Sequence, residues 1–171
     1  MKPERLEIER KYLIRMPRVD YLRQNAQPSQ IEQTYLLRTE PQINARVRKR
    51  GNQGAWVYTH TRKVRISDLT RIEDEREIGE EEYCALLRQA DPERKVIRKT
   101  RWVLPYRGQN FEIDIFPFWD DRALMEIELE DEGQAVYLPS EIEILREVTA
   151  DRRYTNAALS REIPQEELEK G

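Results

Sequence analysis

The stretch Leu6-Glu7-Ile8-Glu9-Arg10-Lys11-Tyr12-Leu13-Ile14 alternates with period two. Successive side chains of a strand point to opposite faces, so Glu7, Glu9 and Lys11 share one face while Ile8, Tyr12 and Ile14 share the other. The same alternation recurs at residues 31–38, 44–50, 55–63, 70–78, 96–104, 110–116 and 123–130, which predicts eight strands in all. Gly51-Asn52-Gln53-Gly54 reads as a hairpin turn. Helical patterns are fewer. Residues 79–90 open with three glutamates, which suit a helix N-terminus, and bring Tyr83, Leu86 and Leu87 to one face. Residues 19–26 form a weaker pattern, and the tail from 155 onward reads as helical. Consecutive strands with short turns favour antiparallel pairing, and eight strands can close into a barrel.

The chain has 171 residues, of which 38 % are apolar and 37 % charged, with a formal net charge of -3. That length suits a single domain spanning residues 1–171. Such a charge content accompanies disorder when aromatic and β-branched residues are scarce, but here Trp56, Trp102, Trp119 and repeated Ile/Val strands point to a packed fold. The near-balance of charge argues against a general nucleic-acid binder, and no specific nucleic-acid partner is expected. The single cysteine, Cys84, rules out an intrachain disulfide framework. No signal-like or membrane-spanning stretch is visible, so a cytoplasmic location without membrane association is expected, as monomer or homodimer.

The charge pattern carries the functional information. Arg46, Arg48 and Arg50 share a face, as do Thr59, Thr61 and Lys63. Arg71, Glu73, Glu75 and Glu77 form a third set, and Lys99 with Arg101 a fourth. Glu112 pairs with Asp114, and Glu126, Glu128 and Glu130 complete the series. Solvated outer faces of a sheet would be the ordinary reading. Yet signs are segregated by strand, and like charges two residues apart gain nothing from one another in water. They make sense with a multivalent cation over the carboxylates and a polyanion over the guanidinium groups. Carboxylate oxygens are natural ligands of Mg²⁺ or Mn²⁺, and arginine forks match phosphate oxygens. One cysteine and one histidine exclude a zinc signature, no glycine-rich phosphate loop is present, and His60 lies opposite Thr61 and Lys63.

Taken in order, these motifs resemble the CYTH domain, or triphosphate tunnel metalloenzyme superfamily, of bacterial type. Glu7-Ile8-Glu9-Arg10-Lys11 is similar to its N-terminal Glu-x-Glu-x-Lys signature. Arg46-Val47-Arg48, Thr61-Arg62-Lys63, Arg71-Ile72-Glu73-Asp74-Glu75, Lys99-Thr100-Arg101, Glu112-Ile113-Asp114 and Glu126-Ile127-Glu128 follow in the family's order, and residues 147–156 resemble its C-terminal signature. Arg146 departs from it, standing where many members carry glycine, and the segment 139–145 is also unlike theirs. The resemblance implies an α+β fold: a closed antiparallel eight-stranded β-barrel with a few peripheral helices, its charged faces turned inward.

It further implies a divalent-metal-dependent triphosphatase acting on tripolyphosphate or a nucleoside triphosphate. Charge type and family together place Lys11, Arg46, Arg48, Lys63, Lys99 and Arg101 on the phosphates. Glu7, Glu9, Asp114, Glu126 and Glu128 are the expected ligands of Mg²⁺ or Mn²⁺, with Glu7, Glu9 and Lys11 closest to the chemistry. Glu73, Glu75 and Glu112 are secondary, as ligands or as partners of the basic residues. Three alternatives stay open: an adenylyl cyclase making cyclic AMP, a thiamine triphosphatase, and a non-catalytic polyphosphate-binding module.

Overall fold

The computed structural model describes residues 5–168, apart from 39 and 42. Nine strands form one sheet: β1 (Arg5–Arg15), β2 (Gln27–Tyr35), β3 (Ile43–Asn52), β4 (Ala55–Arg65), β5 (Thr70–Ile78), β6 (Ile97–Tyr106), β7 (Gln109–Ile115), β8 (Arg122–Leu129) and β9 (Ile144–Glu147). Their order is β5-β4-β3-β2-β6-β7-β8-β1-β9, and a further pairing of β1 with β5 closes the first eight into a barrel. Every pairing is antiparallel. Strand β1 makes closure possible by dividing its second edge. Its first half pairs with β5, from Arg5↔Glu73 to Ile8↔Thr70, and its second half with β9 at Tyr12↔Glu147.

The alternation works as expected, with the apolar faces outward. Ile8, Ile113, Met125, Ile127 and Leu129 are buried on the outer wall beneath α1 (Val19–Asn25), whose Leu22 is fully enclosed. On the opposite wall Val47 and Ile78 pack under α2 (Glu80–Leu86), where the Tyr83 and Tyr58 rings lie 4.9 Å apart. A third cluster stops one end of the barrel. The inner faces of β1 and β8 turn apolar at Leu13 and Leu124, which pack with Tyr35, Ile97, Phe116, Trp119, Tyr154 and Leu159.

Most strand ends fall within two residues of the sequence expectation, and the larger differences have local causes. Strand β2 begins at Gln27 because it pairs along β6, and it ends at Tyr35, after which Leu36 makes only a bridge to Ala90. The expected 79–90 helix ends at Leu86 and tightens into a 3₁₀ turn at Leu87–Gln89. Strand β9 was not expected. The C-terminal helix is a single turn, α3 (Asn156–Leu159), capped by the Thr155 hydroxyl accepting from the Ala158 amide. Pro164 disfavours helical backbone at Ile163 and prevents extension. In the β3–β4 hairpin the turn proper is Gln53-Gly54, both at positive φ (52° and 82°). Gly51 serves a different need, since a Cβ there would collide with the Ala55 carbonyl.

Candidate active site

Closure brings the segregated charges of the strands together. Lys11 is buried on β1 and its ammonium reaches Glu126 Oε1 at 3.0 Å on β8 and the Tyr154 carbonyl at 3.1 Å. Lys63 on β4 lies 3.0 Å from Glu7 Oε1 and 3.9 Å from Glu73 Oε2. Arg71 on β5 approaches Glu9 Oε1 at 3.6 Å. Arg48 on β3 stands 3.8 Å from Glu75 Oε1, which also accepts from the Thr61 hydroxyl at 2.8 Å. These contacts join β1, β3, β4, β5 and β8 across one lumen.

A second group forms between β6 and β7. Asp114 is 1 % exposed. It accepts from Arg101 Nε at 2.7 Å and Nη2 at 2.8 Å, and its Oδ2 also lies 2.8 Å from the Lys99 ammonium. Glu112 takes Arg101 Nη1 at 3.1 Å. Both oxygens of Asp114 are therefore committed to cations, and Lys99 is further held by Asn156 Oδ1 at 3.2 Å. In this arrangement Asp114 and Glu112 hold basic side chains in place. Glu128 lies opposite Glu9 in the register but is exposed, lining a groove with Glu112 and Glu130 away from the basic cavity.

That cavity has a volume of about 360 Å³. Among the described residues nine cationic side chains line it, against one acid, Glu9. Lys11, Arg46, Lys63 and Arg71 come from the barrel wall, and the rest from its mouth. The Nε–H groups of Arg46 and Arg48 are buried without an acceptor. A buried donor left unmade costs about 1–3 kcal/mol, so these two are poised for an oxygen supplied from outside the chain. Burial pushes Arg48 down to about 10, with Arg46 and Arg101 adding repulsion.

The acids respond to the same confinement. Burial, then repulsion from Glu126, raises Glu9 to about 7. Glu7 is also raised, by burial despite Lys63. Burial works against Glu126 too, but Lys11, Arg101 and Lys99 hold it well below the usual carboxylate range. Glu9 and Glu126 are thus two neighbouring oxygen donors, of which Glu9 still lacks enough positive charge and Glu126 is ionised by the cations around it. Among the described residues no group of three or more acidic, cysteine or histidine side chains forms a ready ion cage. Mg²⁺ seldom needs one, being bound through one or two carboxylates plus substrate phosphates and water. The oxygen donors Glu9 and Glu126, with Glu7 beside Lys63, fit that mode.

Arg71 was treated in the sequence as part of an alternating charged face and not as a site residue. Arg94, Arg152 and Arg161 stand outside the strands, where alternation carries no information; Arg38 stands just past β2 and Arg65 at the end of β4, and Asn156 lies in the C-terminal signature without being singled out as a site residue. Trp56 lies on the outer wall beneath Lys49, whose ammonium is 4.7 Å from the ring centroid. His60 shares the outer face, where burial lowers its pKa. Arg146, the departure from the family pattern, takes Asp151 at 3.3 Å and Glu166 at 2.8 Å and so ties the C-terminal segment to β9.

No family model and no curated protein matches the chain. Solved structures do. The crystal structure of the inorganic triphosphatase NE1496 is 29 % identical over 96 % of this chain and 99 % of that one, with a TM-score of 0.58. A second crystal structure of NE1496 gives 30 % identity over 92 % and 99 %, with a TM-score of 0.59. The Hippeastrum protein HpAC1, an adenylyl cyclase candidate whose structure is described as revealing a dominant triphosphatase activity, shares the fold at 16 % identity over 72 % of this chain and 80 % of that one, with a TM-score of 0.50.

Proposed function

Since this chain belongs to the CYTH, or triphosphate tunnel metalloenzyme, superfamily, we propose that it hydrolyses a triphosphate in its basic cavity with the help of a divalent cation. The observation that carries the reading is the charge imbalance there, nine cationic side chains against Glu9. Like charges gathered in a partly enclosed space are unfavourable without an anion between them. The naming of NE1496 as an inorganic triphosphatase supports a phosphoanhydride substrate.

Arg46 and Arg48 bind through the Nε–H groups that lack acceptors, and Lys63 and Arg71 reach the same space. Lys11, fixed by Glu126 and the Tyr154 carbonyl, supplies a third fixed charge. Such donors are already oriented when negative charge develops on the leaving phosphate, which is the efficient form of electrostatic stabilisation. Lys99 and Arg101, tied to Asp114, act through their field. Glu9 and Glu126, with Glu7, would hold Mg²⁺ or Mn²⁺. When bound, that ion neutralises phosphate charge and makes a coordinated water more acidic. Burial raises Glu9 to about 7 where no divalent ion lies beside it, and an ion held there would favour its charged form.

A phosphate-release screen over tripolyphosphate, pyrophosphate, ATP and thiamine triphosphate, with and without Mg²⁺ or Mn²⁺, tests this. Release from a triphosphate that stops in excess chelator and returns with the ion is expected. Cyclic nucleotide as the product, no product from any substrate, or full activity in chelator overturns it.

A further inference from the structure

The cavity's cations fall into two sets. Lys11, Arg46, Lys63 and Arg71 project from barrel strands. A second set stands at the mouth: Arg38 on the β2–β3 connection, Arg94 before β6, and Arg152 in the 3₁₀ turn Arg152–Tyr154. None of these three makes an ion pair among the described residues. Neutral acceptors aim Arg38 and Arg94. Arg38 donates to the Pro41 carbonyl at 3.0 Å and to Asn44 Oδ1 at 2.7 Å. Arg94, 8 % exposed, donates to Ser160 Oγ and to the Ala157 carbonyl, both at 2.9 Å. These bonds fix direction and leave the charge uncancelled.

Lys11, Lys63, Arg71 and Arg48 each already face an acid, Glu126, Glu7, Glu9 and Glu75, whereas the mouth set keeps its charge for an anion that extends from the lumen to the rim. The aromatic side of the lining points the same way. Among the described residues Tyr35 is the only aromatic one around the cavity, and its ring is already covered by the Arg94 guanidinium at 4.0 Å. A purine would find no free ring to stack on.

Resting on the triphosphate reading above, we propose that Arg38, Arg94 and Arg152 form a rim subsite for phosphate groups beyond the third. The cavity then prefers an unesterified chain of four or more phosphates over tripolyphosphate and over a nucleotide.

The test compares tripolyphosphate, tetrapolyphosphate and ATP by calorimetric Kd without metal and by KM and kcat with Mg²⁺. Tetrapolyphosphate is expected to bind about tenfold tighter than tripolyphosphate, the worth of one more charge-assisted contact, and ATP more weakly than either. Arg38→Ala and Arg152→Ala should each reduce that preference to about threefold or less. Arg62→Ala, which removes the same charge from the exposed outer face of β4, should leave it intact. Equal affinities for the two inorganic chains, tighter binding of ATP, or equal weakening of both chains by the rim variants overturns the subsite; the last result would make the rim a steering surface only. Tripolyphosphate hydrolysis without a chain-length preference overturns the subsite alone. Preferential binding of tetrapolyphosphate without phosphate release overturns the proposed hydrolysis and leaves the subsite standing. No binding of either chain removes both.

Discussion

Asp114→Asn separates two roles that the sequence left together. In the fold Asp114 is 1 % exposed and lies directly against both Arg101, at 2.7 and 2.8 Å, and Lys99, at 2.8 Å. The amide keeps the shape, removes the charge, and turns an NH₂ group toward one of two donors. Breaking a buried pair from one side typically costs about 3–5 kcal/mol. The low end applies here, because Arg101 keeps Glu112 at 3.1 Å, a partner whose side chain is 33 % exposed. With a urea m-value of about 2 kcal/mol/M, a loss of about 3 kcal/mol lowers the midpoint by about 1.5 M.

Lys99 supplies a second reading of the same variant. Burial, assisted by Arg101, pushes Lys99 down to about 7 despite Asp114. Between that value and the ordinary lysine value the unfolded chain holds more protons than the folded one, so this group's contribution to stability rises with pH. The destabilisation is fully present below about 7 and relieved toward about 10. Asp114→Asn should therefore gain stability across that range, and Lys99→Met in its background should flatten the slope and recover part of the loss. An Asp114→Asn protein within about 1 kcal/mol of wild type, with no slope removed by Lys99→Met, would refute the assignment of Asp114 as the counter-ion of these cations. A metal-ligand role instead predicts normal stability without the ion and loss of the stabilisation that Mg²⁺ confers.

Two further outcomes follow from the site and its closure. On the proposed reading Arg48 would meet the phosphates in ground and transition states alike, so Arg48→Ala, which removes a buried donor without an acceptor, should weaken Kd and kcat together. Glu9→Gln should instead lower kcat by about a hundredfold, about 3 kcal/mol, with a smaller effect on Kd; wild-type kcat with a raised Kd would make Glu9 a binding residue only. Glu166 accepts from Arg146 at 2.8 and 2.9 Å and from the Tyr154 hydroxyl at 2.8 Å; Glu166→Gln should expose the segment after Leu159 to limited proteolysis while costing about 1 kcal/mol or less of global stability, and an unchanged cleavage rate would deny it the role of latch.

The barrel was legible because its inner wall is charged and its outer wall apolar, so period-two alternation survives along every long strand. Placing Ile8, Ile113, Ile127 and Leu129 outside needed only that parity. Pairing Lys63 with Glu7 needed closure of β1 on β5, and pairing Lys11 with Glu126 needed the β1–β8 register, contacts between residues 56 and 115 positions apart. Parity also gave Asp114 and Glu126 equal standing, and only the distances separate a carboxylate with both oxygens committed from one beside Glu9. Strand β9 has four residues and leans on half of β1, too short to show a period. The apolar stopper was hidden because Leu13 and Leu124 interrupt the charged faces, while Phe116, Trp119 and Tyr154, which pack against them, stand outside the long strands.

An inward charged wall reverses the usual relation between core and site. The apolar burial that stabilises this fold lies outside the lumen, under α1 and α2, and at the stopper around Tyr154. The lumen contributes ion pairs whose desolvation largely offsets their attraction, and the unmade Nε–H bonds of Arg46 and Arg48 weigh against the folded state. The outer layers are what allow that deficit to persist. On the proposed reading, a polyphosphate entering the lumen would meet donors already desolvated and held by Glu75, Glu126 and the Tyr154 carbonyl, so little reorganisation would be charged to binding. The acids inside the barrel would then serve the anion site as well as any cation: they hold basic side chains in the lumen, and where they fall short, at Arg46 and at the rim, phosphate oxygens would complete the network.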